Sequence, residues 1–179
     1  MNEQQGDFLK RFLPAVLACQ EKTRLPASVV LAQAILESDW GRAALARRNR
    51  NLFGIKARAN GVGVVYSTRE YAGGQPRAAR ARFARYASFE ECLEDYARLL
   101  ARPRYARARA VAANPFAFAV ELQRCGYATD PRYARKLHLL IRRYDLTQYD
   151  SPPPSCHPAC PEPERGKRSE GPAFSPECT

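Results

Sequence analysis

Residues 61–88 are the one stretch of this chain where the helical spacing of apolar positions gives way to alternation. GVGVVYSTREY (61–71) and RARFARYAS (80–88) flank AGGQP, a turn-rich connector, and the pattern predicts a β-hairpin. On both sides of it the punctuation is helical. Pro26 stands at a first-turn position ahead of ASVVLAQAILESDWGRAAL, where Val29, Leu36 and Trp40 bracket Gln33 at helical spacing. Ser88 and Glu91 make a capping-box pattern before Phe89, Cys92, Leu93, Tyr96, Leu99 and Leu100. Asn114-Pro115 opens a further helix that Gly126 closes, and Asp130-Pro131 opens the last, with Tyr133, Leu137, Leu140, Ile141 and Tyr144 on one stripe. The N-terminal segment reads as helix, interrupted or started at Pro14. Several helices with one small inserted β lobe make an α+β fold, mainly α.

From SPPPS (151–155) onward the chain is rich in proline and poor in large apolar residues. Such a segment cannot bury enough surface to offset its ordering entropy, so 151–179 reads as a disordered tail and 1–150 as the domain. The charge follows the same division: residues 1–150 carry 26 Lys+Arg against 14 Asp+Glu, and the tail 3 against 4. A basic domain invites a polyanion, whether nucleic acid, an anionic membrane surface or an acidic wall polymer. Arginine outnumbers lysine 24 to 5, in Ala- and Arg-rich runs such as GRAALARRNR that genomic base composition also produces, so charge alone does not choose among these. No run approaches the roughly 20 apolar residues of a membrane span. The segment MNEQQGDFLKRFLPAVLACQ has no basic region, apolar run or small-residue cleavage site, so work outside the cytoplasm would need a route without an evident signal peptide.

The six cysteines do not space as a disulfide set. Cys19, Cys92 and Cys125 fall in the helical body, and Cys156, Cys160 and Cys178 in the tail, with no CxxC pair. CHPAC offers Cys156, His157 and Cys160 as ligand types but lacks a second pair for a tetrahedral zinc site. The body cysteines are expected to be buried small thiols, and no metal or cofactor is expected.

Glu37 lies three residues after Ala34 and seven after Val30, so a helix sets it beside apolar neighbours. Partial desolvation there would raise its pKa, as a general acid working near neutral pH requires. The plainer alternative is a helix-end carboxylate paired with Arg42 or another arginine. Glu70, in STREYAGG, would place a second carboxylate on the β lobe, an arrangement suited to glycoside hydrolysis; its alternative is an exposed strand residue offset by Arg69. Glu90, Glu91, Glu94 and Asp95 read as the solvated face of a helix. Phe53, Tyr66, Tyr71, Tyr127 and Tyr133 lie where rings could cover sugar C–H faces, although each alone is as readily core. GVG and AGG match no phosphate-binding fingerprint, and His138, between Leu137 and Leu139, reads as structural.

Four blocks then occur in order: AQAILESDWG (32–41), NLFGIK (51–56), FARYASFEECLEDYARLL (83–100) and GYATDPRYARKL (126–137). Together they resemble glycoside hydrolase family 73, the bacterial peptidoglycan N-acetylglucosaminidases, over roughly residues 8–150. The resemblance implies a lysozyme-like helical domain with a small β-hairpin lobe beside a long groove. It implies hydrolysis of the β-1,4 bond after N-acetylglucosamine in peptidoglycan glycan strands, in the periplasm or cell wall, by a monomer that engages no nucleic acid. Glu37 matches the family's general acid, Glu70 the second functional carboxylate of the hairpin, and Tyr127 the tyrosine held to orient substrate. Asn51, Phe53 and Lys56 match the block that builds the groove floor, with Tyr66, Tyr71 and Tyr133 as further substrate-binding candidates. Asp39 stands where the family usually has glycine, and neither a rod-assembly domain nor wall-binding repeats occur in these residues, so the setting stays open among flagellar or secretion-system assembly, cell separation and phage lysis. A muramidase or lytic transglycosylase, a non-catalytic wall-binding module and a basic nucleic-acid binder are the competing readings.

Overall fold

The computed structural model describes residues 2–72 and 75–150, and for residues 68–72 and 75–79 only the backbone. The expected tail, with Cys156, His157, Cys160 and Cys178, therefore lies outside the described residues. Helix α1 (Glu3–Thr23) starts at an Asn2–Gln5 capping box, the Asn2 side chain accepting from the Gln5 amide and the Gln5 side chain from the Asn2 amide. It runs straight through Pro14, which neither starts nor interrupts it. The carbonyl that Pro14 cannot bond belongs to exposed Lys10, within reach of water, while Leu9, Phe12 and Val16 bury the opposite face on either side. Tertiary burial outweighs the missing bond.

Helix α2 (Ala27–Ser38) is the centre of the molecule. Every residue from Ala27 to Ile35 is buried, so it is a core helix rather than an amphipathic one. Its N-terminus is held by the two ends of the fold. The Asp150 carboxylate accepts from the Ser28 amide at 2.8 Å and the Ser28 hydroxyl at 2.6 Å, and the Gln20 side chain accepts from the Ala27 amide and donates to the Tyr149 carbonyl. These contacts satisfy helix-end donors that would otherwise be orphaned. At the other end Asp39, Trp40 and Gly41 all have positive φ (50°, 57° and 75°), which turns the chain sharply after the helix. The departure from glycine at 39 thus falls on a left-handed residue, a conformation that Asp tolerates better than most side chains.

Helix α3 (Ala44–Asn49) follows, and then a loop pinned by buried Asn51. Strands β1 (Gly63–Ala72) and β2 (Gln75–Ala84) form the expected antiparallel hairpin, with Glu70 opposite Arg77 and Tyr71 opposite Pro76. The strands sit closer to the turn than the sequence pattern suggested: Ala72, Gln75 and Pro76 are strand rather than connector, β1 starts only at Gly63, and β2 stops at Ala84, short of Ser88. A two-stranded sheet has only edge strands, so Pro76 breaks no interior ladder.

Helix α4 (Phe89–Leu100) begins at Ser88, whose hydroxyl accepts from the Glu91 amide. A 3₁₀ turn (Pro103–Tyr105) and short α5 (Ala106–Ala110) lead to α6 (Pro115–Arg124), capped by Asn114, and to α7 (Tyr133–Arg143), after which Leu146–Tyr149 form a closing 3₁₀ turn. Helix α7 starts two residues later than Pro131 suggested, because Asp130 first accepts from the Arg132 amide in a tight turn. His138 is structural, bonded to the Phe116 carbonyl at 2.9 Å with its ring edge-on to Phe116. Cys92 is buried, whereas Cys19 and Cys125 are only half-buried. The acidic face of α4 needs one correction: Asp95 is not solvated but mostly covered, and it accepts from the Tyr86 hydroxyl and pairs with Arg58. No described helix is long and apolar enough to cross a membrane.

Candidate active site

A cleft of about 770 Å³ opens between the C-terminal end of α2, residues 53–56, the residues following α4 and the loop into α7. Glu37 enters it from the last turn of α2, where that helix emerges from the core. Its side chain is exposed on the cleft side. Protein still surrounds it closely enough for desolvation to raise its pKa, against the Tyr133 hydroxyl and the charge of Lys136, which both favour the carboxylate. Glu37 does not pair with Arg42: that guanidinium is held by Asp39 at 2.6 Å and 3.1 Å. Lys136, one turn along α7 from Tyr133, is fixed by Asp130 at 2.5 Å. The same contact, with the Arg132 amide, holds the Asp130 carboxyl below its ordinary range.

Two tyrosines back the carboxyl. Tyr133 is buried at the start of α7, and its oxygen accepts from Gln33 Nε2 at 2.8 Å. The Gln33 Oε1 in turn accepts from the Tyr96 hydroxyl. Burial first, then the charge of Glu37, raises the Tyr133 pKa, so the phenol stays protonated at any working pH. Tyr127 lies half-buried against Tyr133, with ring centroids 5.7 Å apart, and burial keeps its hydroxyl protonated too. Its loop is held by Arg104, which bonds the Cys125 carbonyl through Nε and Nη2 (3.2 Å and 2.7 Å) and the Gly126 carbonyl at 2.7 Å. Gly126 has φ +71°, and a Cβ there would come within 3.1 Å of that guanidinium, so glycine suits the position twice over.

Of the residues singled out in the sequence, Glu37, Phe53, Lys56, Tyr127 and Tyr133 line this cleft together. Phe53 is almost wholly buried, stacked on Tyr96 with centroids 4.2 Å apart, so it is floor in the sense of support. Asn51 does not reach the cleft. Its amide is buried and committed to the Ile55 and Ala84 carbonyls and the Ile55 amide. Tyr66 also lies elsewhere, accepting from Asn49 Nδ2 and meeting Phe83 edge-on. The backbones of Glu70 and Tyr71 are in β1, but their side chains lie outside the described residues. Sequence reasoning missed Lys136, Asp130, Arg102 and Tyr105 as cleft residues, and Gln33, Tyr96 and Arg104 as their support. Only Lys136 left a usable signal, three residues after Tyr133 on one helical face.

Among the described residues no cluster of three or more His, Cys, Asp or Glu could hold a metal ion. The arrangement offers acid–base chemistry: a carboxyl with raised pKa, phenols that stay protonated, and cationic walls.

The family described as mannosyl-glycoprotein endo-beta-N-acetylglucosaminidase matches residues 13–146. The peptidoglycan hydrolase FlgJ of Salmonella typhimurium is 47% identical over 145 residues, covering 76% of this chain and 45% of that protein. The exo-glucosaminidase LytG of Bacillus subtilis is 40% identical over 140 residues, 75% of this chain and 50% of that one. The chain thus spans about half the length of these relatives. Among solved structures, the catalytic domain of the autolysin Auto from Listeria monocytogenes superposes with a TM-score of 0.74 at 38% identity, over 84% of this chain and 89% of that domain. With the family match reaching from the middle of α1 to the closing 3₁₀ turn, and the lysozyme-like fold shared, this chain belongs to the glucosaminidase family, glycoside hydrolase family 73.

Proposed function

We propose that the chain hydrolyses the β-1,4 glycosidic bond after N-acetylglucosamine within peptidoglycan glycan strands, with residues 1–150 as the catalytic unit. The observation that carries this is Glu37: a cleft carboxyl whose pKa is raised by desolvation, faced by Tyr133, Tyr127 and Lys136. Glu37 gives its proton to the glycosidic oxygen as the C1–O bond breaks. The hydroxyl that replaces the leaving sugar at C1 comes from water. In one version Glu70 takes the water's other proton. In the other, the substrate's own acetamide oxygen attacks C1 first, with Tyr127 orienting it, and water then opens the ring so formed, giving its spare proton back to the Glu37 carboxylate. Lys56, Arg102 and Lys136 add positive charge along the cleft, suited to the carboxylates of wall peptides. The printed names of the relatives, a peptidoglycan hydrolase and a glucosaminidase, support the substrate class. The reading implies work in the periplasm or cell wall, by a monomer that needs no nucleic acid.

Mass spectrometry of fragments released from purified peptidoglycan tests it. New reducing N-acetylglucosamine ends are expected, reduced at least about 100-fold in Glu37→Gln, the smallest effect usual for loss of a general acid. Reducing or anhydro N-acetylmuramic ends would make the chain a muramidase or a transglycosylase. No release by the unmodified chain would leave a binding module.

A further inference from the structure

The buried row Tyr96–Gln33–Tyr133 ends at Glu37 and has a direction. Gln33 is fully buried on α2, its amide between two phenols that come from α4 and α7. An amide can face either way, so its sense follows from where the hydroxyl protons can go. With Oε1 toward Tyr96, the Tyr96 proton goes to Gln33 and a Gln33 N–H to the Tyr133 oxygen, which leaves the Tyr133 proton to face Glu37 across the cleft they share. With the amide reversed, Gln33 would donate to Tyr96, and the proton of that buried hydroxyl would have no other acceptor among the described residues. Tyr133 would then turn its proton to Gln33 and away from Glu37. Only the first sense gives both phenol protons an acceptor, as buried polar groups require.

We propose that Gln33, oriented by Tyr96, is a positioning residue that makes Tyr133 an obligate donor to Glu37 and so assigns the acid's proton to the carboxyl oxygen away from Tyr133. This rests on the reading of Glu37 as general acid. A carboxyl oxygen that accepts from Tyr133 cannot also carry the proton along that line. The proton therefore sits on the other oxygen, which leaves it available to a leaving group. Losing the donor would let the proton occupy either oxygen and would remove a partner of the charged form. The other charged or titratable groups around Glu37 are Lys136 of α7, Tyr127 and Asp130 of the loop before it, Lys56, and Arg102 with Tyr105 after α4. Tyr96 has no direct contact with Glu37, so a Tyr96 effect on Glu37 must pass through the amide.

The experiment is the pH profile of kcat/KM on purified peptidoglycan for Tyr96→Phe, Tyr133→Phe, the double variant and Gln33→Met. Each is first checked for folding by thermal melting; Tyr96→Phe keeps the ring that stacks on Phe53. Loss of a donor to the carboxylate raises the Glu37 pKa, so the alkaline limb of the profile should move up by about 0.5–1 pH unit in Tyr133→Phe. It should move the same way, by at least half as much, in Tyr96→Phe, where the amide is free to reverse and take the Tyr133 proton, and less in Gln33→Met, which leaves that proton no acceptor but Glu37. The double variant should move no further than Tyr133→Phe alone, the mark of one pathway. A Tyr96→Phe limb that coincides with the unmodified enzyme, while Tyr133→Phe shifts, overturns the proposal, as does an additive double variant. A Glu37→Gln enzyme that keeps its activity would instead refute the general-acid reading itself.

Discussion

Replacing Asn51 by alanine should destabilise the fold and leave substrate affinity alone. The Asn51 side chain is 2% exposed and makes three hydrogen bonds: Nδ2 to the Ile55 carbonyl (2.8 Å) and the Ala84 carbonyl (3.0 Å), and Oδ1 from the Ile55 amide (3.0 Å). Truncation leaves Ile55 N–H and Ala84 C=O unpaired by protein, while the Ile55 carbonyl keeps its bond from the Ala84 amide. At about 1–3 kcal/mol for each such group left without a partner, the loss is about 2–6 kcal/mol. For a body of this size that is a fall in melting temperature of about 4–24 °C. Asn51→Asp keeps the acceptor for Ile55 but sets a carboxylate against two carbonyls. Its folded pKa is therefore raised, and the sign follows: the variant is least impaired below the ordinary carboxylate pKa and loses stability as pH rises through the raised value. The assay is thermal melting at pH 4 and pH 7, with KM on soluble glycan fragments measured well below the melting point. An Asn51→Ala chain that melts within 1–2 °C of the unmodified one but shows a tenfold higher KM would refute this reasoning and return Asn51 to the substrate.

Two further outcomes follow from the cleft. Because desolvation raises the folded pKa of Glu37, the native chain binds its proton more tightly than the unfolded chain does, and this group's contribution to stability is lost as pH rises through that raised value. Glu37→Gln should therefore melt higher than the unmodified chain at pH 7, with the gap closing toward pH 4; a constant gap would assign the effect to packing. Arg104→Met removes three hydrogen bonds to the Tyr127 loop and a cation–π contact with Tyr105 while keeping an apolar stem. It should cost about 1–3 kcal/mol by melting and lower kcat about tenfold with KM nearly unchanged, and a raised KM at constant kcat would place Arg104 in substrate binding instead.

The helices that announce themselves do so through local chemistry. Ser88, Asn114 and Gly126 satisfy or terminate backbone bonds within three residues, so the same residues are legible before folding and do the same work after it. Short α3 and α5 have no such signals. They exist because buried Ala46 and Ala108 pack against the body, and packing has no spacing to read in six residues. Asp95 escaped for a related reason: its partners Tyr86 and Arg58 come from outside its helix, 9 and 37 residues away.

The site divides along the same line. Glu37 was legible because one helix supplies both the carboxyl and the apolar neighbours that perturb it. The NLFGIK block was legible as a unit but not by role. Within it Lys56 lines the cleft, Phe53 supports the floor by stacking on Tyr96, and Asn51 ties the loop to the end of β2. A motif marks which residues are held together, and only the fold separates those that meet substrate from those that hold the others still. The row behind Glu37 is the extreme case, since Gln33 meets partners 63 and 100 residues away. At helical spacing a glutamine between Val29 and Leu36 looks like an intrusion into an apolar stripe. Buried between two phenols, it becomes the one side chain on α2 that can both accept from Tyr96 and donate to Tyr133. An apolar residue of equal volume would pack as well there but would leave the buried Tyr96 hydroxyl without an acceptor among the described residues.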